Sequence, residues 1–441
     1  MKLYRQHEDI REFMKQVISH IQSKEVHHEV RMELESHLED IITEKMERGV
    51  ELTAAIQEAI SQMGAPDIIG AQFHQVHRPR TDWKLLALIA AFMMFGLVAI
   101  FAAQASNGFS AIGIKQVVYV CVGGLLMLAI SFGNYTKLAK YSWTLYFVTL
   151  FMLIFAIVVG TKINGSSGYL SFGRVGINFI SLTPYLFLLS LAGIWTSSPA
   201  RVNTNSRISP LAWSAWSNLG TVLLPSILIL KSHSVTDFVL LFSGSMMMLI
   251  VLKKTRKIII THLSLLLGAI LFILLKETYL SRWTAFLNPY EDPQGLNYVL
   301  TQSKKTITSG GWWGQGFGTP LATLPEIHSN MMFPFLIYCF GWIAGLLMLM
   351  MVILFVFHAL QLSSKIQDAY GKAMLSGILT LFVIQFIWPM LMALGWAPLT
   401  SFTLPFVSYG GTLVIFQFAA IGLILNVYRR KDMIPSYAKI K

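Results

Sequence analysis

The sequence predicts an all-α integral membrane protein of about ten transmembrane helices preceded by a small soluble helical domain. Three observations carry that prediction. The chain of 441 residues is 54% hydrophobic and 13% charged, with mean hydropathy +0.59, whereas a soluble protein carries about twice that share of charge. Several uninterrupted apolar runs reach about 18 residues or more, enough to cross a hydrocarbon core of roughly 30 Å as helices. Charge is also segregated. Residues 1–80 hold 14 of the 22 Asp and Glu but 10 of the 34 Lys and Arg, which leaves 24 basic against 8 acidic side chains in the rest. The basic balance therefore reflects juxtamembrane Lys and Arg, together with an anionic substrate in the loops, and does not point to nucleic acid.

Taken in order, Ile10, Phe13, Met14, Val17, Ile18 and Ile21 fall on one face at the helical period. A second helix carries Val30, Leu34, Leu38, Ile41 and Ile42 and ends at Gly49. A third runs from about Thr53 to Met63 and stops at Gly64, and a short helix follows Pro66. The stretch "ELESHLEDIITEKMERGVELTAAIQEAISQMGAPDIIG" resembles the helical prefix modules found ahead of some Firmicute permeases and regulatory membrane proteins. That resemblance implies an interaction or regulatory domain over residues 1–80, with a protein partner it does not name; a folded spacer is the competing reading. These residues are polar and helical rather than a signal peptide, so the first span is expected to serve as the insertion signal.

Ten spans are expected at about 84–104, 116–133, 142–161, 178–196, 213–230, 235–252, 257–275, 331–357, 373–394 and 411–428. They make a membrane domain over 81–430, with 431–441 as a tail. The clusters "HRPR", "NYTKLAK", "KKTRK" and "YRRK", with Arg201, Arg207, Lys365 and Lys372, all fall on one side when the spans are counted off. The positive-inside rule makes that side cytoplasmic and puts both termini there, in a bacterial plasma membrane. Trp83, Trp143 and Trp195 are read as interfacial anchors, and Cys121 and Cys339 as buried thiols in packed helices. The opposite side carries two informative loops, about 162–177 and 276–330, the second far longer than a connection needs.

The long loop is rich in Gly, Pro and aromatic residues and carries Arg282, Lys304 and Lys305. Cations on that side beside aromatic residues suit an anionic amphiphile such as a polyprenyl pyrophosphate, or outer-leaflet headgroups. Its pattern is "YLSR" (Tyr279 to Arg282), "FLNP" (Phe286 to Pro289), "DPQG" (Asp292 to Gly295), Tyr298, "QS" (Gln302, Ser303) and "SGGWWGQG" (Ser309 to Gly316). With "GWAPLTSFTLPFVSYGGT" (Gly395 to Thr412) before the last span, it resembles the SEDS family, the RodA, FtsW and SpoVE type, over nearly all of residues 84–430. The resemblance implies a ten-helix glycosyltransferase of peptidoglycan assembly in cell division, shape or sporulation, working beside a transpeptidase of the class B penicillin-binding type. In the implied reaction a sugar hydroxyl of one lipid-linked disaccharide attacks the anomeric carbon of another. Undecaprenyl pyrophosphate leaves, a carboxylate takes the proton, and cations stabilise the departing charge. A divalent cation could bridge the pyrophosphate, but no ligand cluster in the sequence demands one.

One stretch departs from the pattern. Where the resemblance implies "LPE-x-H-T-D-F" with the Asp as base, this chain reads "LPEIHSNMMF": Glu326 and His328 are kept, Ser329 replaces Thr, and Asn330 stands in place of the Asp. An amide can orient a hydroxyl but cannot accept its proton, and loss of a general base costs on the order of 10²–10⁴ in rate. Thr183 and Leu186 stand where a Glu and a Lys are implied in the fourth span, and "YCFGW" (Tyr338 to Trp342) replaces an acidic pair. Glu326 is the best surviving base, four residues before Asn330 and on the same side of a helix; Asp237, Glu277, Glu291 and Asp292 are the other acidic candidates. "PFVSYGG" is expected to face the same cavity, with Gly410 and Gly411 permitting close approach and Ser408 and Tyr409 offering hydroxyls. The expected cavity lining is Arg282, Lys304, Lys305, Glu326, His328 and Asn330. Three functions remain open: a precursor-binding protein with polymerisation reduced or lost, an active polymerase using Glu326, and a transporter of the lipid precursor. The near absence of ionisable residues within the spans weighs against the third.

Overall fold

The computed structural model describes residues 7–21, 27–76, 78, 80–109, 111–163, 166–172, 175–197, 210–254, 256–274, 277–288, 295 and 297–431. The chain divides into two compact units, residues 1–81 with 428–441, and 82–427. In the first, α1 (Glu8–Ser19), α2 (His27–Glu47), α3 (Leu52–Met63) and α4 (Pro66–Val76) enclose an apolar core. Phe13, Met14, Val17, Leu34, Leu38, Ile42, Ile56 and Ala59 are buried there, as the helical period of the sequence requires. Gly49 and Gly64, just beyond α2 and α3, take positive φ and turn the chain.

The second unit is a helix bundle: α5 (Trp83–Asn107), α6 (Ile112–Phe132), α7 (Thr136–Lys140), α8 (Ser142–Val159), α9 (Thr183–Thr196), α10 (Pro210–Lys231), α11 (Val235–Val251), α12 (Arg256–Leu274), α13 (Glu277–Leu287), α14 (Tyr298–Gly310), α15 (Met332–Lys365), α16 (Ala369–Leu394) and α17 (Thr412–Arg429). Of these α5, α6, α8, α15, α16 and α17 are long and apolar enough to cross a membrane, and shorter apolar helices occupy the four remaining predicted positions in α9, α10, α11 and α12. Two of these helices begin at side-chain caps. Asp82 caps α5 by accepting from Leu85 N at 3.0 Å, and Asp368 caps α16 through Gly371 N at 2.6 Å. α9, α11 and α16 pack as the enclosed centre, while α6 and α8 turn Val118, Leu125, Phe147 and Phe151 outward.

Three features depart from expectation. The loop over 162–177 is partly a sheet: β1 (Thr161–Ile163), β2 (Ser166–Phe172) and β3 (Val175–Asn178) form an antiparallel meander in which Tyr169 pairs with Asn178. Trp195 is buried with Nε1 3.4 Å from Thr221 Oγ1, so it packs inside instead of anchoring at an interface. Cys121 is exposed on the outward face of α6, and only Cys339 is buried. The alternating ends of the spans give the bundle a long-loop end, which bears α13, α14, the meander and residues 395–411, and a short-loop end opposite.

Candidate functional site

The glycine-rich stretch after α14 repairs a broken helix. α15 is interrupted at Gly341, whose φ of 77° and ψ of 180° are not helical. A break in a membrane helix strands backbone groups that lipid cannot satisfy. Here the turn over 311–316 supplies them: Gln315 N donates to Tyr338 O at 2.8 Å, Gly316 N to Cys339 O at 3.0 Å, and Trp342 N to Gly311 O at 2.9 Å. A Cβ at Gly341 would lie 2.0 Å from the Trp312 carbonyl. The "YCFGW" stretch is thus the socket for "SGGWWGQG".

Beyond the turn, residues 319–331 lie against the helix ends. Ser106, at the end of α5, donates to Thr319 O at 2.8 Å and accepts from Leu321 N at 3.1 Å, and Tyr298 Oη donates to Thr323 O at 2.8 Å. Glu326 sits in left-handed backbone at φ 54°, and its carbonyl accepts from Ser329 N and Met331 N at 3.0 and 3.2 Å. Positive φ in a non-glycine residue costs energy and persists where surroundings hold it. The consequence is a direct contact: Asn330 Nδ2 donates to Glu326 Oε2 at 2.6 Å.

The second motif closes on the first. Tyr409 N donates to His328 O at 2.7 Å and Ser408 Oγ donates to Ser329 O, also at 2.7 Å. Ser408 Oγ accepts from Leu404 N as well and is 2% exposed, so its hydroxyl is committed to the chain instead of being offered to a ligand. The His328 ring lies tilted against Phe109 at 4.8 Å and Tyr409 at 6.0 Å between centroids, and burial pushes its imidazole below the ordinary range against the opposing pull of Glu326. Burial likewise pushes the Tyr409 phenol up. The structure therefore joins Glu326, His328, Asn330, Ser408 and Tyr409 in one junction, with Gly410 and Gly411 leading from it into α17. Lys304 packs beside Gly395, where the second motif begins, and Lys305 is exposed on the same helix. Arg282 lies on α13, with its side chain outside the described atoms, as are Glu291 and Asp292.

Several residues here lie outside the two long motifs. Gln116 on α6 is 1% exposed and donates to Ser408 O at 3.4 Å, and Tyr119 meets the Tyr409 ring at 6.4 Å. Burial holds the Tyr169 phenol above its ordinary range, against the opposing hydrogen bond to Asn178. Asp237 is buried and accepts from Ser234 and Ser181 hydroxyls at 2.5 and 3.4 Å. Beneath them, Tyr185 Oη donates to Gln385 Oε1 at 2.9 Å, and Gln417 Oε1 accepts from Phe406 N at 3.4 Å, supporting the positive φ of Phe406 from inside. Only the polarity of Tyr185, Gln385 and Gln417 within apolar helices could have signalled them, because buried polar groups need partners.

A helical membrane protein with strained, polar loops locked together at one end is the class that fold and site define. The chain belongs to the family described as cell cycle protein, of the FtsW, RodA and SpoVE type, whose profile matches residues 80–433. It is 26% identical over 374 residues to the probable peptidoglycan glycosyltransferase FtsW of Trichlorobacter lovleyi, covering 81% of this chain and 96% of that one. It is 25% identical over 351 residues to the stage V sporulation protein E of Bacillus subtilis, covering 78% and 94%. A solved structure reported as "Structural coordination of polymerization and crosslinking by a peptidoglycan synthase complex" shares its fold, with TM-score 0.65 and 23% identity over 80% of this chain and 98% of that one.

Proposed function

We propose that this membrane protein of the SEDS family serves peptidoglycan assembly by binding an undecaprenyl-pyrophosphate-linked precursor at its long-loop end, with glycosyltransferase activity reduced or lost. Family membership and the peptidoglycan glycosyltransferases among its relatives support the cell-wall role. The observation that carries the loss is the Asn330 to Glu326 hydrogen bond. The group in the place of the implied base is an amide that donates to a carboxylate, and its carbonyl oxygen can accept a hydrogen bond from a sugar hydroxyl but is too weakly basic to take the proton at neutral pH. Lys304, Lys305 and Arg282 are the cations proposed to meet the pyrophosphate. Among the described residues no three His, Cys, Asp or Glu side chains converge as a metal site. The long-loop end faces outward and both termini face the cytoplasm, by the distribution of Lys and Arg. A transpeptidase is the proposed partner, on the strength of the synthase complex that shares the fold, and residues 1–80 are proposed to engage a further protein.

The same hydrogen bond favours a second reading, in which Glu326 is the base and Asn330 holds its carboxylate in one orientation. Glycan-chain formation from lipid-linked disaccharide-peptide by the purified protein separates the two. Polymer from the parent protein that vanishes in Glu326→Gln establishes the second reading. No polymer from the parent, with precursor binding intact, establishes the first, and Asn330→Asp then shows whether a carboxylate at that place alone restores it.

A further inference from the structure

Tryptophan offers one of the largest side-chain surfaces for burial, and the turn after α14 leaves two of them uncovered. Trp312 is 66% and Trp313 83% exposed, and Phe317, four residues on, is exposed as well. Their backbone is nevertheless held in place. Residues 311–316 are bound to α15 by the hydrogen bonds at Tyr338, Cys339 and Trp342. A Cβ at Gly341 would lie 2.0 Å from the Trp312 carbonyl and 2.6 Å from Trp313 N. The two indoles therefore project from a fixed point, the break in α15.

α15 itself sets the depth of that point. Past the break it turns Ile343, Leu346, Met350, Ile353, Phe357 and Leu360 outward, each 45–61% exposed. Leu360 lies 17 residues beyond Ile343, about 26 Å at the helical rise and close to a hydrocarbon thickness of roughly 30 Å. The stripe gives way to Gln361, Ser363, Ser364 and Lys365 at the short-loop end, and to the Gly341 break at the other. Lipid is what covers an apolar face of that length, so the break and the turn docked on it fall where hydrocarbon meets headgroups. Tryptophan favours that depth, because its ring is apolar while its Nε1–H needs an acceptor. Trp83 and Trp143, exposed in the first turns of α5 and α8, mark the matching boundary at the short-loop end.

We propose that Trp312 and Trp313 anchor the long loop in the bilayer leaflet on its own side, with their rings among the headgroups and upper acyl chains, and that this anchor fixes the depth of the segment leading to Glu326. Two observations make lipid the partner. The indoles continue the lipid-facing stripe of α15 instead of forming a separate patch. No charged residue occurs anywhere over 306–325, so the segment offers apolar area and hydrogen-bonding groups without charge. From the turn the chain passes Gly318, packed on Ala105, and the Ser106 contacts of Thr319 and Leu321 before it reaches Glu326. A turn held at one depth thus holds the approach to the junction there too. The inference concerns how the loop is seated and holds whether or not the site polymerises glycan.

Fluorescence quenching of the purified full chain in nanodiscs tests it without reference to activity. The phosphatidylcholine is brominated either near the headgroup or near the bilayer centre, and iodide is the quencher from water. The emission that Trp312→Phe with Trp313→Phe removes is expected to lose most of its intensity to lipid brominated near the headgroup and little to iodide. Trp313→Phe alone supplies the difference where the double variant does not fold. Quenching by iodide and not by bromolipid overturns the proposal, because the indoles are then in water. Quenching by neither overturns it as well, because protein then covers them. Hydrogen–deuterium exchange reads the consequence for the loop. Trp312→Asp with Trp313→Asp is expected to speed exchange of the Gln315, Gly316 and Leu321 amides about tenfold, while the central amides of α16 stay protected. Unchanged exchange at those three amides overturns the claim that the anchor holds the loop.

Discussion

Gly49 and Gly64 in the amino-terminal unit and Gly314 and Gly341 at the long-loop end share a left-handed φ of +86°, +98°, +81° and +77°, yet they are not equivalent. A Cβ at Gly49 or Gly64 would meet nothing within 4 Å, whereas at Gly314 it would lie 2.3 Å from the Cys339 carbonyl and at Gly341 2.0 Å from that of Trp312. The first pair only lets a helix end and the chain turn. The second pair also clears the space in which a broken membrane helix receives its hydrogen bonds. The amino-terminal unit is held by interchangeable apolar contacts, and the long-loop end by a few backbone contacts between residues far apart in the chain.

The largest expected effect follows from that difference. Gly341→Ala combines a disfavoured φ with a backbone overlap and is expected to cost about 4 kcal/mol or more, read as a large drop in thermal stability in detergent. Phe13→Ala, by contrast, is expected to remove about 3–5 kcal/mol from the amino-terminal unit alone; exchange that accelerates in α1 to α4 and not in α16 is the check. Ser408→Ala removes the donor to Ser329 O and the acceptor for Leu404 N, for about 1–3 kcal/mol. Its signature is faster exchange at Tyr409 and Ser329. Gly49→Ala brings strain without overlap, roughly 1–2 kcal/mol, and a loss equal to that of Gly341→Ala would break the comparison.

The smallest effect is a pH dependence at His328. Burial lowers its folded pKa, so the unfolded form binds the proton more readily, and stability rises with pH through that window. The clasp is expected to be complete above about pH 6.5, the ordinary histidine value, and to loosen as pH falls below it. His328→Gln should flatten that dependence in Tyr409 amide exchange. An unchanged profile would exclude His328 as its source.

Much of the fold was legible in the chain because helices are local. The period of Ile10 to Ile21, the stops at Gly49 and Gly64, and the positions of the spans all rest on spacing within about twenty residues, and the structure reproduces them to within a few residues except where α15 runs on to Lys365. The site was legible as two motifs, but their contact was not. Nothing in "LPEIHSN" or "PFVSYGG" states that Ser408 would spend its hydroxyl on Ser329, or that "SGGWWGQG" would dock on "YCFGW". Gln116, Tyr169 and the Tyr185–Gln385–Gln417 set lie outside the two long motifs, and each matters only through a partner elsewhere in the chain. The contact of Asp82 with His358 was equally invisible, as the two are separated by 276 residues.

By itself, then, the sequence determined a polytopic helical membrane protein with a helical amino-terminal unit, and an amide where its family resemblance implies a carboxylate. Apolar length, helical period and residue identity are properties of the chain read in order. Tertiary structure alone decided that this amide is bound to Glu326, that glycines at 311–316 mend a break at Gly341, and that one helix links Asp82 to the loop before Glu326. Those outcomes depend on which backbone groups the membrane bundle leaves unsatisfied and which distant segment reaches them first.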